Sequence, residues 1–217
     1  MTALTRMGKP GPGPTTGPAV TSPATADRDA AVVAESLHHP ERFAAIYDRY
    51  FAEIYRYVAG RLGPDVADDL AAETFADAFR KRAQFRPSRG ALRPWLYGIA
   101  TNLVARHRRV EARRLNALTR AADQPPSADH GDLADRAAAR VSAQQLRQPL
   151  ARALAQLADR DRDALLLVSL ADLSYEEVAA ALGIPAGTVG SRLNRARRTV
   201  RAALTDIDPG LSPLEHQ

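Results

Sequence analysis

"LSYEEVAAALGIPAGTVGSRLNRARR", residues 173–198, decides the fold. Ser174 followed three positions later by Glu177 has the pattern of a capping box, two reciprocal hydrogen bonds that fix where a helix starts. Val178, Ala181 and Leu182 are spaced to face inward, and Ala179 is small where a second helix must cross closely. Gly183 suits the left-handed residue that ends a helix, Pro185 pre-sets the first turn of the next, and Val189 with Leu193 packs that helix back. The spacing predicts a helical hairpin with a short turn, the helix-turn-helix arrangement. An ordinary structural hairpin would share this pattern. The outer face of the second helix separates the two readings. It carries Arg192, Arg195, Arg197, Arg198 and Arg201, with no acid between Pro185 and Ala203. A solvated surface helix mixes signs, whereas this one matches a duplex carrying a phosphate charge every ~1.7 Å.

Working outward, residues 143–206 are helical throughout, with Leu146, Leu150, Leu154 and Leu157 and then Ala164, Leu165, Leu167 and Leu170 at steps of three or four. Before them "ALTRAADQPPSADHGDLADRAAA" combines paired prolines, a glycine and several acids with almost no large apolar residue. Residues 115–142 are accordingly read as a flexible linker. Residues 28–114 form a second helical module. Phe43, Ile46, Tyr47, Tyr50, Phe51, Ile54 and Val58 lie along one face of a helix opening near Pro40, and "RLGPD" ends it. The next helix carries Val66, Leu70, Thr74, Ala78 and Phe79 until "FRPSRG". A third opens with Pro94 and carries Trp95, Leu96, Ile99, Leu103 and His107, which marks Trp95 as a core residue rather than a stacking platform. Residues 1–27, rich in Pro, Gly, Thr and Ala, read as a disordered tail, and residues 207–217 as a C-terminal tail. The fold class is all-α: an N-terminal helical bundle and a C-terminal helix-turn-helix domain joined by the linker.

Composition bounds the function. The chain has 217 residues, 45% of them hydrophobic, which is ordinary for a folded domain or two. It has 30 Lys plus Arg against 25 Asp plus Glu and a pI near 9.9, and only Lys9 and Lys81 are lysines. The positive charge is therefore nearly all guanidinium, which pairs bidentately with phosphates and guanine edges. There is no cysteine, so disulfides, thiolate zinc sites and thiol redox sensing in this chain are excluded, and the 5 histidines show no ligand spacing. No metal site or cofactor is expected. No stretch is long and apolar enough for a membrane span, and the N-terminus lacks the apolar core of a signal peptide. The expected location is the cytoplasm, without membrane insertion.

Two features of the first module ask for a partner. In "DVADDLAAETFADAF", Asp65, Asp69, Glu73 and Asp77 recur at four-residue steps. Like charges so spaced repel, a cost that a basic partner surface would relieve. In "RGALRPWLYGIATNLVARHRRVEARR", an apolar and aromatic start leads into Arg106, Arg108, Arg109, Arg113 and Arg114, a pattern suited to nucleic-acid backbone.

In this order and at this separation, these motifs resemble the extracytoplasmic-function (ECF) group of bacterial sigma-70 factors. "DLAAETFADAF" is similar to the family's core-polymerase-binding helix, "FRPSRGALRPWLYGIATNL" to its melting and minus-10 segment, and "GTVGSRLNRARR" to its minus-35 reader. The resemblance implies a non-catalytic subunit whose partners are core RNA polymerase, promoter DNA and an anti-sigma factor. It places Asp69, Glu73 and Asp77 against polymerase. It assigns the loop from Arg86 to Arg93, with Leu92, to capture of a flipped base, which requires single-stranded DNA. Asn102 would touch that strand, and Arg106, Arg108 and Arg109 its phosphates. Ser191, Asn194 and Arg195 would meet minus-35 base edges, with Thr188, Arg192, Arg197 and Arg198 nearer the backbone. Three positions depart from the family pattern: Ala72 replaces a glutamine, Leu92 a phenylalanine, and Gly190 a basic residue. The competing class is a stand-alone helix-turn-helix regulator with an N-terminal dimerisation or sensing module. A nucleic-acid enzyme is disfavoured, because the carboxylates form a stripe and no serine or histidine has a triad or metal setting.

Overall fold

The computed structural model describes residues 22–122 and 149–205. The linker residues 123–142, Leu146, the C-terminal tail and all but the end of the N-terminal tail lie outside the described residues. Helices α1 (Pro23–Glu35), α2 (Ala44–Leu62), α3 (Ala67–Lys81) and α4 (Leu92–Ala122) make the first module. Residues 149–155 (α5), α6 (Asp159–Ala171), α7 (Tyr175–Leu182) and α8 (Ala186–Thr205) make the second. No strand occurs among the described residues, so the all-α class holds.

Helix α1 starts inside the stretch that composition assigned to the tail. A single buried acid explains the difference. Asp29 is fully buried and accepts hydrogen bonds from Arg49 and the Tyr50 hydroxyl of α2. Burial, and then the neighbouring carboxylate, push the Tyr50 phenol well above its ordinary range. A buried carboxylate is tolerated only with such partners, so the cluster ties α1 to the bundle. Proline in the first turn of α1 suits a helix start, since its missing N–H would have no partner there anyway.

Ile46, Tyr50, Ile54, Tyr57 and Val58 line the inner face of α2 and meet Leu70, Ala71, Phe75 and Ala78 of α3 and Leu96, Ala100, Leu103 and Val104 of α4. Tyr47, expected on the inner face, sits at its rim. It is 40% exposed, with its ring 4.8 Å from Phe51 and 5.1 Å from Phe75. The fully buried Tyr57 takes the central place instead, its hydroxyl 2.8 Å from Thr101 Oγ1. Gly63 closes α2 at φ 89°, and its N–H donates to Ala59 O over 2.9 Å.

Helix α4 continues through Ala122, past the expected boundary at Arg114. Residues 115–122 contain no Gly or Pro, and the first breaker is Pro125. In the second module Leu150 is 41% exposed, whereas Ala153 and Leu157 are buried. The expected Leu157 is thus inside and Leu154 half-buried, while within α5 Ala153 rather than Leu150 takes the inward place.

The two modules share one apolar core, with Leu167, Ala171, Leu173 and Val178 continuous with the α2 and α4 side chains. A methyl group on Gly98 would fall 2.5 Å from the carbonyl oxygen of Ala181, so only glycine lets α4 and α7 meet at this distance. Polar contacts seal the junction. Arg93 donates from Nε to Glu53 over 2.9 Å and from Nη2 to Ala171 O over 2.7 Å. Arg61, with its side chain 1% exposed, pairs with Asp163 and donates to the Tyr57 hydroxyl.

Candidate nucleic-acid and polymerase interfaces

The hairpin forms as its sequence predicts. Ser174 Oγ accepts from Glu177 N over 3.2 Å, and Glu177 Oε2 accepts from Ser174 N over 3.0 Å. Gly183 takes the left-handed conformation at φ 63° and ψ 38°, and Ile184 N donates to Ala179 O over 3.0 Å. Val178, Val189, Leu193 and Ala196 have no exposed surface, so α8 is fixed along its inner face. Ser191, Asn194, Arg195 and Arg198 project away from that face into solvent, the exposed Arg197 stands on the flank beside α7, and Thr188 and Arg192 are half-buried at the edges. Ser191 donates to Thr188 O over 2.9 Å, which leaves its oxygen able to accept. Arg197 lies 3.4 Å from the Tyr175 hydroxyl. A Cβ on Gly190 would meet nothing within 4 Å, so this position opens onto the same face.

One residue was invisible to sequence patterning. Arg195 donates from Nε and Nη2 to the two carboxylate oxygens of Asp161, over 3.0 and 2.9 Å. Asp161 stands in the first turn of α6 and is 7% exposed. The Arg195 hydrogen bonds hold its carboxyl below the usual range, a shift that the charges of Arg160 and Arg192 reinforce. The partners are 34 positions apart, so no local spacing signals the pair.

In the first module, the candidates separate. Asn102, Arg106 and Arg109 are exposed on α4. Arg106 pairs with Glu73 of α3, and Arg109 donates to Ala105 O over 3.2 Å in its own helix. Arg108 is half-buried and donates to Arg61 O over 2.9 Å beside the second module; desolvation lowers its pKa from the ordinary arginine range. Arg86 is exposed, on a loop that Gly90 turns at φ 136°. Leu92, expected in the melting loop, has no exposed surface. Its side chain is part of the apolar core, so this position is corrected from DNA contact to packing. A leucine at the start of α4 buries readily because it carries no polar group. Trp95 is half-buried, its ring 5.4 Å from Phe85. It edges a cleft of about 600 Å³ that Arg86, Arg89 and Gly90 share with Ala180 and Ile184 of the second module.

The acidic stripe is graded along α3. Asp69 is exposed. Asp77 pairs with Arg80 and Lys81, and the Lys81 hydrogen bond above all draws its carboxyl below the usual range. Basic residues in the last turn of α3 also complement the helix dipole, so part of the repulsion read from the sequence is compensated within the helix.

Residues 46–114 match the family Sigma-70 region 2, and residues 147–200 match Sigma-70, region 4. The chain is 34% identical over 190 residues to the ECF RNA polymerase sigma factor SigC of Mycobacterium tuberculosis, covering 86% of this chain and 96% of that one. It is also 34% identical over 152 residues to the ECF RNA polymerase sigma-E factor of Salmonella typhimurium, covering 68% and 76% of the two chains. A solved structure of CnrH in complex with the cytosolic domain of CnrY is similar in fold, with a TM-score of 0.57 at 23% identity, covering 84% of this chain and 99% of that one. The protein belongs to the sigma-70 family, in its ECF group. It is a sigma factor that directs RNA polymerase to promoters.

Proposed function

We propose that promoter selection is divided between two helices, α8 reading the upstream element in duplex form and α4 with its preceding loop engaging the downstream element as it opens. The observation that carries this division is the exposed row of Ser191, Asn194, Arg195, Arg197 and Arg198 on a helix whose opposite face is locked in the core. A rigid helix with polar tips on one side fits the major groove, where each base pair shows a distinct donor and acceptor pattern. Ser191, Asn194 and Arg195 meet base edges, and Thr188, Arg192, Arg197 and Arg198 hold phosphates. On α4, Asn102, Arg106 and Arg109 run along the single strand, Arg108 joins them once its contact to Arg61 O is released, and Arg86 supports the extruded base. Leu92 takes no part.

Core polymerase docks on α3 through Asp69, Glu73 and Asp77. Glu73 and Asp77 exchange their internal partners for basic groups of polymerase, a near-neutral trade that favours specificity over raw affinity. The chain makes no bond in the nucleic acid itself, and the phosphoryl chemistry stays with polymerase. An anti-sigma factor is a further partner on this reading. The similar RpoE of Bartonella quintana was solved with the anti-sigma factor NepR. The site of action is the cytoplasm, where promoters and polymerase are.

The test is association with purified bacterial core polymerase followed by run-off transcription from a genomic fragment library with mapped starts. The expected result is a defined set of start sites absent with core alone. A sequence-specific duplex complex formed without core, and no new starts with it, would favour the stand-alone regulator.

A further inference from the structure

We propose that Asp161 is a positioning residue for promoter reading: its carboxylate grips one edge of the Arg195 guanidinium and presents the other edge, pre-oriented, to a guanine in the upstream element. This rests on the proposal that α8 reads that element.

The geometry settles which donors remain. A guanidinium carries five N–H groups in one plane, one on Nε and two on each terminal nitrogen. The bonds to Asp161 use Nε and one hydrogen of Nη2, at 3.0 and 2.9 Å. Both hydrogens of Nη1 and the second hydrogen of Nη2 are left over. The end of the fork therefore still has two parallel donors, the arrangement that pairs with O6 and N7 of guanine. Asp161 lies low, at 7% exposed, while the Arg195 side chain is 46% exposed. The clamp thus takes the Nε–Nη2 edge of the guanidinium, and the remaining donors lie along its Nη1–Nη2 end.

Two physical consequences follow. A long side chain held in one plane before binding loses less freedom on binding, so its discrimination between bases is sharper. At the same time a carboxylate close to α8 repels DNA phosphates and offsets one positive charge of the helix. Asp161 therefore lowers affinity for duplex in general and offsets that loss selectively where the preferred base is present. The same pair also has a plain structural use, because it ties α6 to α8. These roles differ in sign, which makes them separable.

The experiment uses holoenzyme, reconstituted from core polymerase and full-length protein, with a promoter library randomised through the upstream element and sequenced after selection. Arg195→Ala is expected to abolish a guanine preference at one position. Asp161→Ala is expected to reduce that same preference by roughly three- to tenfold, a part of what a full bidentate pair supplies. Binding to unrelated duplex should meanwhile strengthen, with its salt dependence steeper by about one released counterion. Asp161→Asn, which removes the charge but keeps one acceptor oxygen, is expected to fall between wild type and alanine in discrimination, and it replaces the alanine variant if that fails to fold. Unchanged or increased discrimination in the Asp161 variants, with Arg195→Ala still losing its one position, would overturn the positioning role and leave the reading of α8 standing. A parallel loss of affinity for all sequences in the Asp161 variants would assign the pair to structure alone and also overturn it. If Arg195→Ala alters no single position, the underlying reading of α8 fails instead.

Discussion

Helices α4 and α8 both look basic in the sequence, yet the fold treats their arginines differently. On α4, Arg93 binds Glu53 and the carbonyl of Ala171, Arg106 binds Glu73, and Arg108 binds the carbonyl of Arg61. On α8, Arg197 and Arg198 stand exposed, and Arg195 is held along its Nε–Nη2 edge with its side chain 46% exposed. Some α4 guanidinium groups assemble the protein and must be released before they serve DNA, whereas the α8 row is presented from the start. A run of arginines alone does not distinguish these uses. The position of the counter-charges in space does.

The largest effect that would sharpen this contrast is at the junction of the modules. Arg61→Ala removes the partner of Asp163 and of the Tyr57 hydroxyl in a buried setting. Breaking such a pair costs about 3–5 kcal/mol, measurable by denaturant unfolding. A loss below ~1 kcal/mol, the range of an exposed pair, would mean that arginines at the junction of the modules do not assemble the protein as the contrast requires.

Next come the two classes of arginine on α8. Arg195→Ala is expected to cost about 1–3 kcal/mol at one base position, and Arg197→Ala to weaken all duplexes alike and lower the salt slope by about 1. Competition binding across single-base variants and a salt titration separate them. Equal behaviour would erase the distinction between base reader and phosphate holder.

Gly190 is a smaller lever. It lies within α8 with no neighbour in the way of a Cβ, so Gly190→Ala is expected to raise stability by about 1 kcal/mol in thermal unfolding. A destabilisation would show that the backbone at this position needs glycine. Smallest in stability is Glu73→Lys on the acidic stripe, which should shift unfolding by no more than ~0.5 kcal/mol and yet reduce association with core polymerase in a pull-down titration. Undiminished association would return the stripe to an ordinary solvated face.

Much of the fold was legible because its signals are local. The capping box at Ser174 and Glu177, the turn at Gly183 and the stop at Gly63 each rest on residues a few positions apart, and all three form. The boundaries of α1 and α4 were not legible from composition. Helix α1 is held by Asp29 against Arg49 and Tyr50, and α4 continues because nothing before Pro125 breaks it. Within the candidate site, spacing identified the exposed face of α8 but could not see Asp161, whose partner is distant in sequence. It also placed Leu92 in a DNA-facing loop by motif position, whereas side-chain chemistry draws that leucine into the core.

The most direct test of the division between the helices is start-site selection by holoenzyme from a library randomised in both promoter elements, comparing Asn194→Ala on α8 with Asn102→Ala on α4. Preferences should change only in the upstream element for Asn194→Ala and only in the downstream element for Asn102→Ala. Changes in the same element for both variants would contradict the account.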